Sequence, residues 1–144
     1  MSKGLVATAT IEIQTPIQKV WEALITPEII EQYMFGTEVV SEWNKGSSIV
    51  WKGIWEGKPY EDKGIILQIE AMKTLQVTHF SPLSGQPDIP ENYHTLTYVL
   101  SENGNYTSVS LSQDNNLNEK EKEHSQKMWE ALLLGLKKIL ENKG

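Results

Sequence analysis

The chain has no cysteine and no arginine. Without thiols there is no disulfide, no thiolate metal site and no cysteine nucleophile. Without arginine, the planar fork that reads guanine, phosphate or carboxylate at two points is missing, and all 13 basic residues are lysines. Nineteen acidic residues set against those 13 leave a net charge of −6, which repels polyphosphates and anionic membranes alike. Nucleic acid is therefore not an expected partner. No apolar run approaches the roughly 18 residues needed to span a bilayer, so no membrane insertion is expected. The start, MSKGLVATATIEI, has no continuous apolar segment of the signal-peptide kind, and the cytoplasm is the expected compartment.

What is present points to one folded domain over residues 1–144. The composition is 39% hydrophobic with five tryptophans, enough for a substantial core and unlike a disordered chain. Residues 5–13 alternate as a strand. Thr15-Pro16-Ile17-Gln18 then reads as a capping box, with Thr15 as N-cap and Pro16 at the first helical position. The helix carries Ile17, Val20, Trp21, Leu24 and Ile25 on one face. A second, shorter helix starts at Thr26-Pro27-Glu28 and stops before Gly36.

From 37 to 113 strand follows strand. Ile49, Trp51 and Trp55 share a face with Gly53 between them, and the following turn is expected at Gly57-Lys58-Pro59. Asn103-Gly104 marks a hairpin. Beyond it Thr107, Val109, Leu111 and Gln113 alternate with Ser108, Ser110 and Ser112, the pattern of an antiparallel sheet with one wet face. Residues 119–141 form a long helix with Met128, Trp129, Leu132, Leu133, Leu136, Ile139 and Leu140 on its apolar side. Its first turns, EKEKEHSQK, are polar all round, so that end is expected to project or fray. The fold class is α+β: a curled antiparallel sheet of six to seven strands around a long C-terminal helix, with two short helices after the first strand.

The segments TPIQKVWEALITPEIIEQYM, GIILQIEAMKTLQVTHF, TYVLSENGNYTSVSLSQDN and MWEALLLGLKKILE resemble the Aha1-like (activator of Hsp90 ATPase homologue) branch of the START-like, SRPBCC superfamily. The likeness runs from about residue 6 to 141. It implies the helix-grip, Bet v 1-like fold, with an apolar cavity between helix and sheet. It also implies three kinds of function: hydrophobic-ligand binding, an aromatase/cyclase-like activity on a polyketide-type substrate, and interaction with an Hsp90-type chaperone.

Several residues bear on that choice. Trp51 and Trp55 can stack on a flat apolar ligand, or serve as core. Met34 and Phe35, ahead of Gly36, suit a cavity lip or ordinary helix-end packing. Met128 and Leu132 face the sheet from the terminal helix. His79 and Tyr98 are the polar candidates, as ligand contacts or as the working groups of a cyclase, with structural roles as the alternative. Trp43 borders a turn and suits the surface. The three histidines, 79, 94 and 124, lack metal-ligand spacing, and neither metal nor cofactor is expected. His94 is expected to anchor the loop 81–93, and His124 to be solvated. Glu61 and Asp62 are neighbours on a strand, so they point to opposite faces and form no carboxylate pair. Ser81 and Ser84 have no activating base around them, so no catalytic residue is assigned. The proline-rich loop 81–93 is expected to be ordered at the cavity rim, with Asp88 and Asn92 bonding backbone N–H groups. A binding protein for a small apolar or aromatic ligand fits these features best.

Overall fold

Side-chain alternation decides which face of each strand is buried, and the last strand shows it most clearly. In the computed structural model, which describes residues 4–141, Thr107, Val109, Leu111 and Gln113 are buried, and Ser108, Ser110 and Ser112 are half-exposed on the opposite face. The elements are β1 (Leu5–Ile13), α1 (Ile17–Ile25), α2 (Pro27–Tyr33), β2 (Glu38–Ser41), β3 (Ser48–Trp55), β4 (Lys58–Glu70), β5 (Thr74–His79), β6 (His94–Asn103), β7 (Tyr106–Asn116) and α3 (Glu119–Glu141). They build one antiparallel seven-stranded sheet in the order β1-β7-β6-β5-β4-β3-β2. Strand twist curls this sheet, and α3 lies on its concave side against β1 and β7. This is the expected helix-grip arrangement.

The core is the stripe of α3 pressed on the inward faces of the strands. Leu132, Leu133 and Leu136 are sealed against Ile13, Val109 and Leu111, with Val20, Trp21 and Leu24 of α1 closing one end. At the far end of α3, Lys137 donates to the carbonyl of Glu12 (2.8 Å) and Glu141 accepts the backbone N–H of Gln14 (2.7 Å). These bonds tie the helix to the exit of β1.

Several local expectations are corrected. The capping box at Thr15 does not form: the N-cap is Pro16, with φ −64° and ψ 149°, and it carries no side-chain cap. Thr15 lies one residue too early for its hydroxyl to reach the first turn. It is buried, and its carbonyl accepts from Thr107 Oγ1 at 2.8 Å. The β3–β4 turn is Glu56-Gly57, both at positive φ (51° and 80°), while Lys58 and Pro59 already belong to β4. That double positive φ is what a two-residue turn needs to match strand twist. Trp43 is half-buried and packs against the core, from a backbone with φ 58°.

The polar start of α3 is not a frayed end. Asn118 Oδ1 accepts the N–H of Glu121 (2.9 Å), and Ser125 is buried in bonds to Asn116 (3.0 Å) and Gln113 (3.1 Å). The proline loop is likewise built. It contains two 3-10 turns, Pro82–Ser84 and Pro90–Asn92, the first ended by Gly85 at φ 76°. Asp88 and Asn92 do close it, though not through backbone N–H groups. Asn92 Nδ2 donates to the carbonyl of Pro87 (2.8 Å), and Asp88 takes the hydroxyl of Tyr93 (2.6 Å) and the ammonium of Lys63.

Candidate functional site

Where the strands curl away from α3, the concave face is left partly uncovered. A cavity of about 620 Å³ lies there between α2, the loop after β5, the first half of α3 and the inward faces of β2 to β7. Its floor is aliphatic and aromatic: Ile49 and Trp51 from β3, Leu75 and Val77 from β5, Leu96 and Tyr98 from β6. Its mouth carries apolar side chains left exposed, with Phe35 at 72% and Ile54 at 74%, joined by Leu83, Leu117 and Met128. Exposed large apolar side chains grouped at a cavity mouth are unlike the single scattered ones of an ordinary surface.

Of the residues singled out from the sequence, Met34, Phe35, Trp51, His79, Tyr98, Met128 and Leu132 all line this cavity. The side chain of Trp55 lies outside what the structure describes. Trp51 and Tyr98 are also core, being 7% and 6% exposed, so the same rings wall the cavity and seal the sheet. The loop contributes Ser81, Leu83, Ser84 and Gln86 to the rim. His124 is exposed at the mouth, beside Glu121.

Register explains how the polar residues come together. Trp51 pairs with Asp62 across β3–β4, and His79 pairs with His94 across β5–β6. Between them Lys63 pairs with Phe80, with backbone bonds of 3.0 and 2.8 Å, which sets Asp62 diagonally beside His79. The result is a row across four strands: Trp51, Asp62, His79, His94. His79 Nε2 lies 2.9 Å from Asp62 Oδ2, the Trp51 ring meets His79 edge-on at 4.9 Å, and His94 stacks at 6.3 Å. Gly64 permits this approach, because a Cβ there would overlap the carbonyl oxygen of Thr78.

His94 anchors the β6–β7 pair rather than the loop: its Nδ1 donates to the carbonyl of Asp114 at 2.9 Å. Tyr98 and Tyr33 are both buried, and burial pushes both phenols above their ordinary range. Tyr33 donates to the carbonyl of Ala23 (2.8 Å), whereas the Tyr98 hydroxyl has no hydrogen bond among the described residues. His79 and Tyr98 do not stand together. Tyr98 pairs with Leu75, four residues along β5 from His79, which is about 13 Å of strand.

Asp62 is the residue that sequence reasoning missed. Alternation separates Glu61 from Asp62, and Glu61 is indeed exposed, but the spacing does not say which face is concave. Gly53 is a second case. A Cβ there would sit 2.6 Å from Tyr60 Oη, so the tyrosine ring packs over the glycine beside Trp51, its hydroxyl 2.8 Å from Thr37 Oγ1.

The family model described as Activator of Hsp90 ATPase homolog 1-like protein matches residues 14–141. The chain belongs to that family. A solution structure of its kind, ChR145 from Cytophaga hutchinsonii, is 57% identical, with 99% of this chain and 98% of that one covered and a TM-score of 0.87. The Aha1 dimer from Colwellia psychrerythraea is 21% identical over 97% of this chain and 99% of that one, with a TM-score of 0.74. MLL2253 from Mesorhizobium loti is 20% identical over 95% and 98%, with a TM-score of 0.75. At these lower identities the likeness to the last two shows the fold alone. No curated protein matches the chain. Among the described residues of this Activator of Hsp90 ATPase homolog 1-like chain, no helix is long and apolar enough to cross a membrane.

Proposed function

We propose that this family member binds a small, flat, largely apolar molecule in the cavity between α3 and the curled sheet. The observation that carries this reading is the cavity itself. Its volume of about 620 Å³ falls inside the range of roughly 300–1,000 Å³ typical of small-molecule sites. Its floor is aliphatic and aromatic, and its mouth holds exposed apolar side chains that a bound molecule would cover. A cyclase-like reading, resting on His79 and Tyr98 together, has less support. The two stand at different levels of the ladder and do not converge on one bond.

The test is native mass spectrometry of protein recovered from cell extract, followed by thermal denaturation against a panel of flat apolar compounds. A co-purified mass, or a rise in midpoint that grows with compound concentration as linkage requires, is the expected outcome. No bound mass and no shift across the panel would overturn the reading.

A further inference from the structure

We propose that Asp62 and His79 form a hydrogen-bond-accepting anchor, which takes a hydroxyl or N–H group carried by an otherwise apolar, uncharged ligand. The proposal rests on the cavity reading above and specifies which molecules the cavity takes.

An ionised carboxylate can only accept, so the 2.9 Å contact between His79 Nε2 and Asp62 Oδ2 puts the proton on Nε2. In the neutral ring that leaves Nδ1 with a lone pair. Both remaining atoms of the pair, His79 Nδ1 and Asp62 Oδ1, are buried without a hydrogen-bond partner. In that state each is an acceptor, and a buried acceptor left unpaired is costly, a cost that a donor supplied by a ligand removes.

The rest of the lining narrows the ligand further. Thr37 and Tyr60 bond each other, and Gln113 and Ser125 serve the anchoring of α3, so those groups are already used. The edge-on Trp51 ring holds His79 in place. Lysine does not appear among the lining residues, and the acidic ones are Asp62 and Glu121. An anionic ligand would therefore meet a carboxylate with no cation to offset it. Fatty-acid-like and phosphorylated molecules are disfavoured on that ground, and neutral alcohols, phenols and amides are favoured.

The experiment measures affinity for three matched probes: 2-naphthol, 2-methoxynaphthalene and 2-naphthoate. For the unaltered protein, 2-naphthol is expected to bind at least tenfold more tightly than 2-methoxynaphthalene, with 2-naphthoate the weakest. In the double variant Asp62→Leu/His79→Phe the tenfold preference is expected to vanish while 2-methoxynaphthalene keeps its affinity. If that variant does not fold, the unaltered protein decides through ¹⁵N NMR of His79. The Nδ1 resonance is expected to be that of an unprotonated nitrogen and to move with 2-naphthol but not with its methyl ether. Equal binding of the two in the unaltered protein, or a preference for 2-naphthoate, would overturn the anchor and leave the cavity reading standing. Binding of none would overturn both.

Discussion

Trp129 donates its indole N–H to Gln113 Oε1 at 2.9 Å, which joins the long helix α3 to the last strand β7 inside the cavity wall. The other end of the same amide donates to Ser125 Oγ and Asn116 Oδ1, both at 3.1 Å. One glutamine thus satisfies three buried partners from two elements. Replacing it strands polar groups in a dry place, so Gln113→Leu is expected to lower unfolding free energy by about 2–3 kcal/mol, judged from the cost of buried unpaired groups. Urea denaturation checks this, and a change under 0.5 kcal/mol would show the network to be dispensable.

Gly64 gives a second prediction. It lies against the Thr78 carbonyl, where no Cβ fits, and the N–H of its neighbour Ile65 bonds Thr78 Oγ1 at 2.9 Å. Gly64→Ala is expected to push β4 from β5 and destabilise by about 1–3 kcal/mol, as overpacking does. The Asp62–His79 contact crosses the same seam. Loss of stability should therefore be accompanied by changed His79 ring resonances, and unchanged resonances would separate the two effects.

Helix α3 was legible in the sequence as a stripe, and its residues divide by role in a way the stripe does not reveal. Leu136 is sealed in the core, whereas Met128 is 39% exposed at the cavity mouth. Leu136→Ala is expected to cost about 2–5 kcal/mol. Met128→Ala should stay within about 0.5 kcal/mol in stability while weakening ligand affinity. Paired denaturation and binding measurements check both, and unchanged affinity in Met128→Ala would mean that the mouth is not a binding surface.

The same helix shows where reading from sequence stops. Periodicity within one element is local, so the stripe of α3, the alternation of β7 and the strand–helix–helix opening could all be read directly. The polar first turns of α3 looked unanchored because their partners, Gln113 and Asn116, belong to β7. Asp62 was invisible for the same reason: its partner His79 is 17 residues away and reaches it through strand register. The capping box at Thr15 failed because the helix starts one residue later, from Pro16, while the buried Thr15 carbonyl serves Thr107, 92 residues on. The loop's order could be inferred from its prolines, but the partners of Asp88 and Asn92 could not.

The loop latch carries a pH prediction. The Asp88 carboxyl is held below its ordinary range, first by Lys63 and then by the Tyr93 hydroxyl, while the Lys63 ammonium is held above its own range, first by Asp88. The bond to Asp88 raises Tyr93 as well, with burial adding to it. A depressed carboxyl stabilises the fold above its unfolded pKa, and the gain is lost as pH falls through the folded value. The raised Lys63 and Tyr93 contribute below their unfolded values and lose that contribution as pH rises through the folded ones. Amide protection factors across 82–92, corrected for the intrinsic exchange rate at each pH, should therefore be highest near neutrality and fall at both extremes. Because the groups are exposed and screened, the effect should be local to the loop. Asp88→Asn should remove the acid limb, and an unchanged acid limb would mean that the latch does not hold the loop.

Chemical-shift mapping with 2-naphthol tests the central claim most directly, because it reports where a ligand sits rather than only whether it binds. The expected result is a set of saturable shifts confined to the concave face, at Trp51, Val77, His79, Leu96, Met128 and Leu132, with Ile65, Leu67 and Val99 on the outer face unmoved. Shifts centred on that outer face, or none at concentrations that saturate a denaturation response, would contradict a binding cavity between the helix and the sheet.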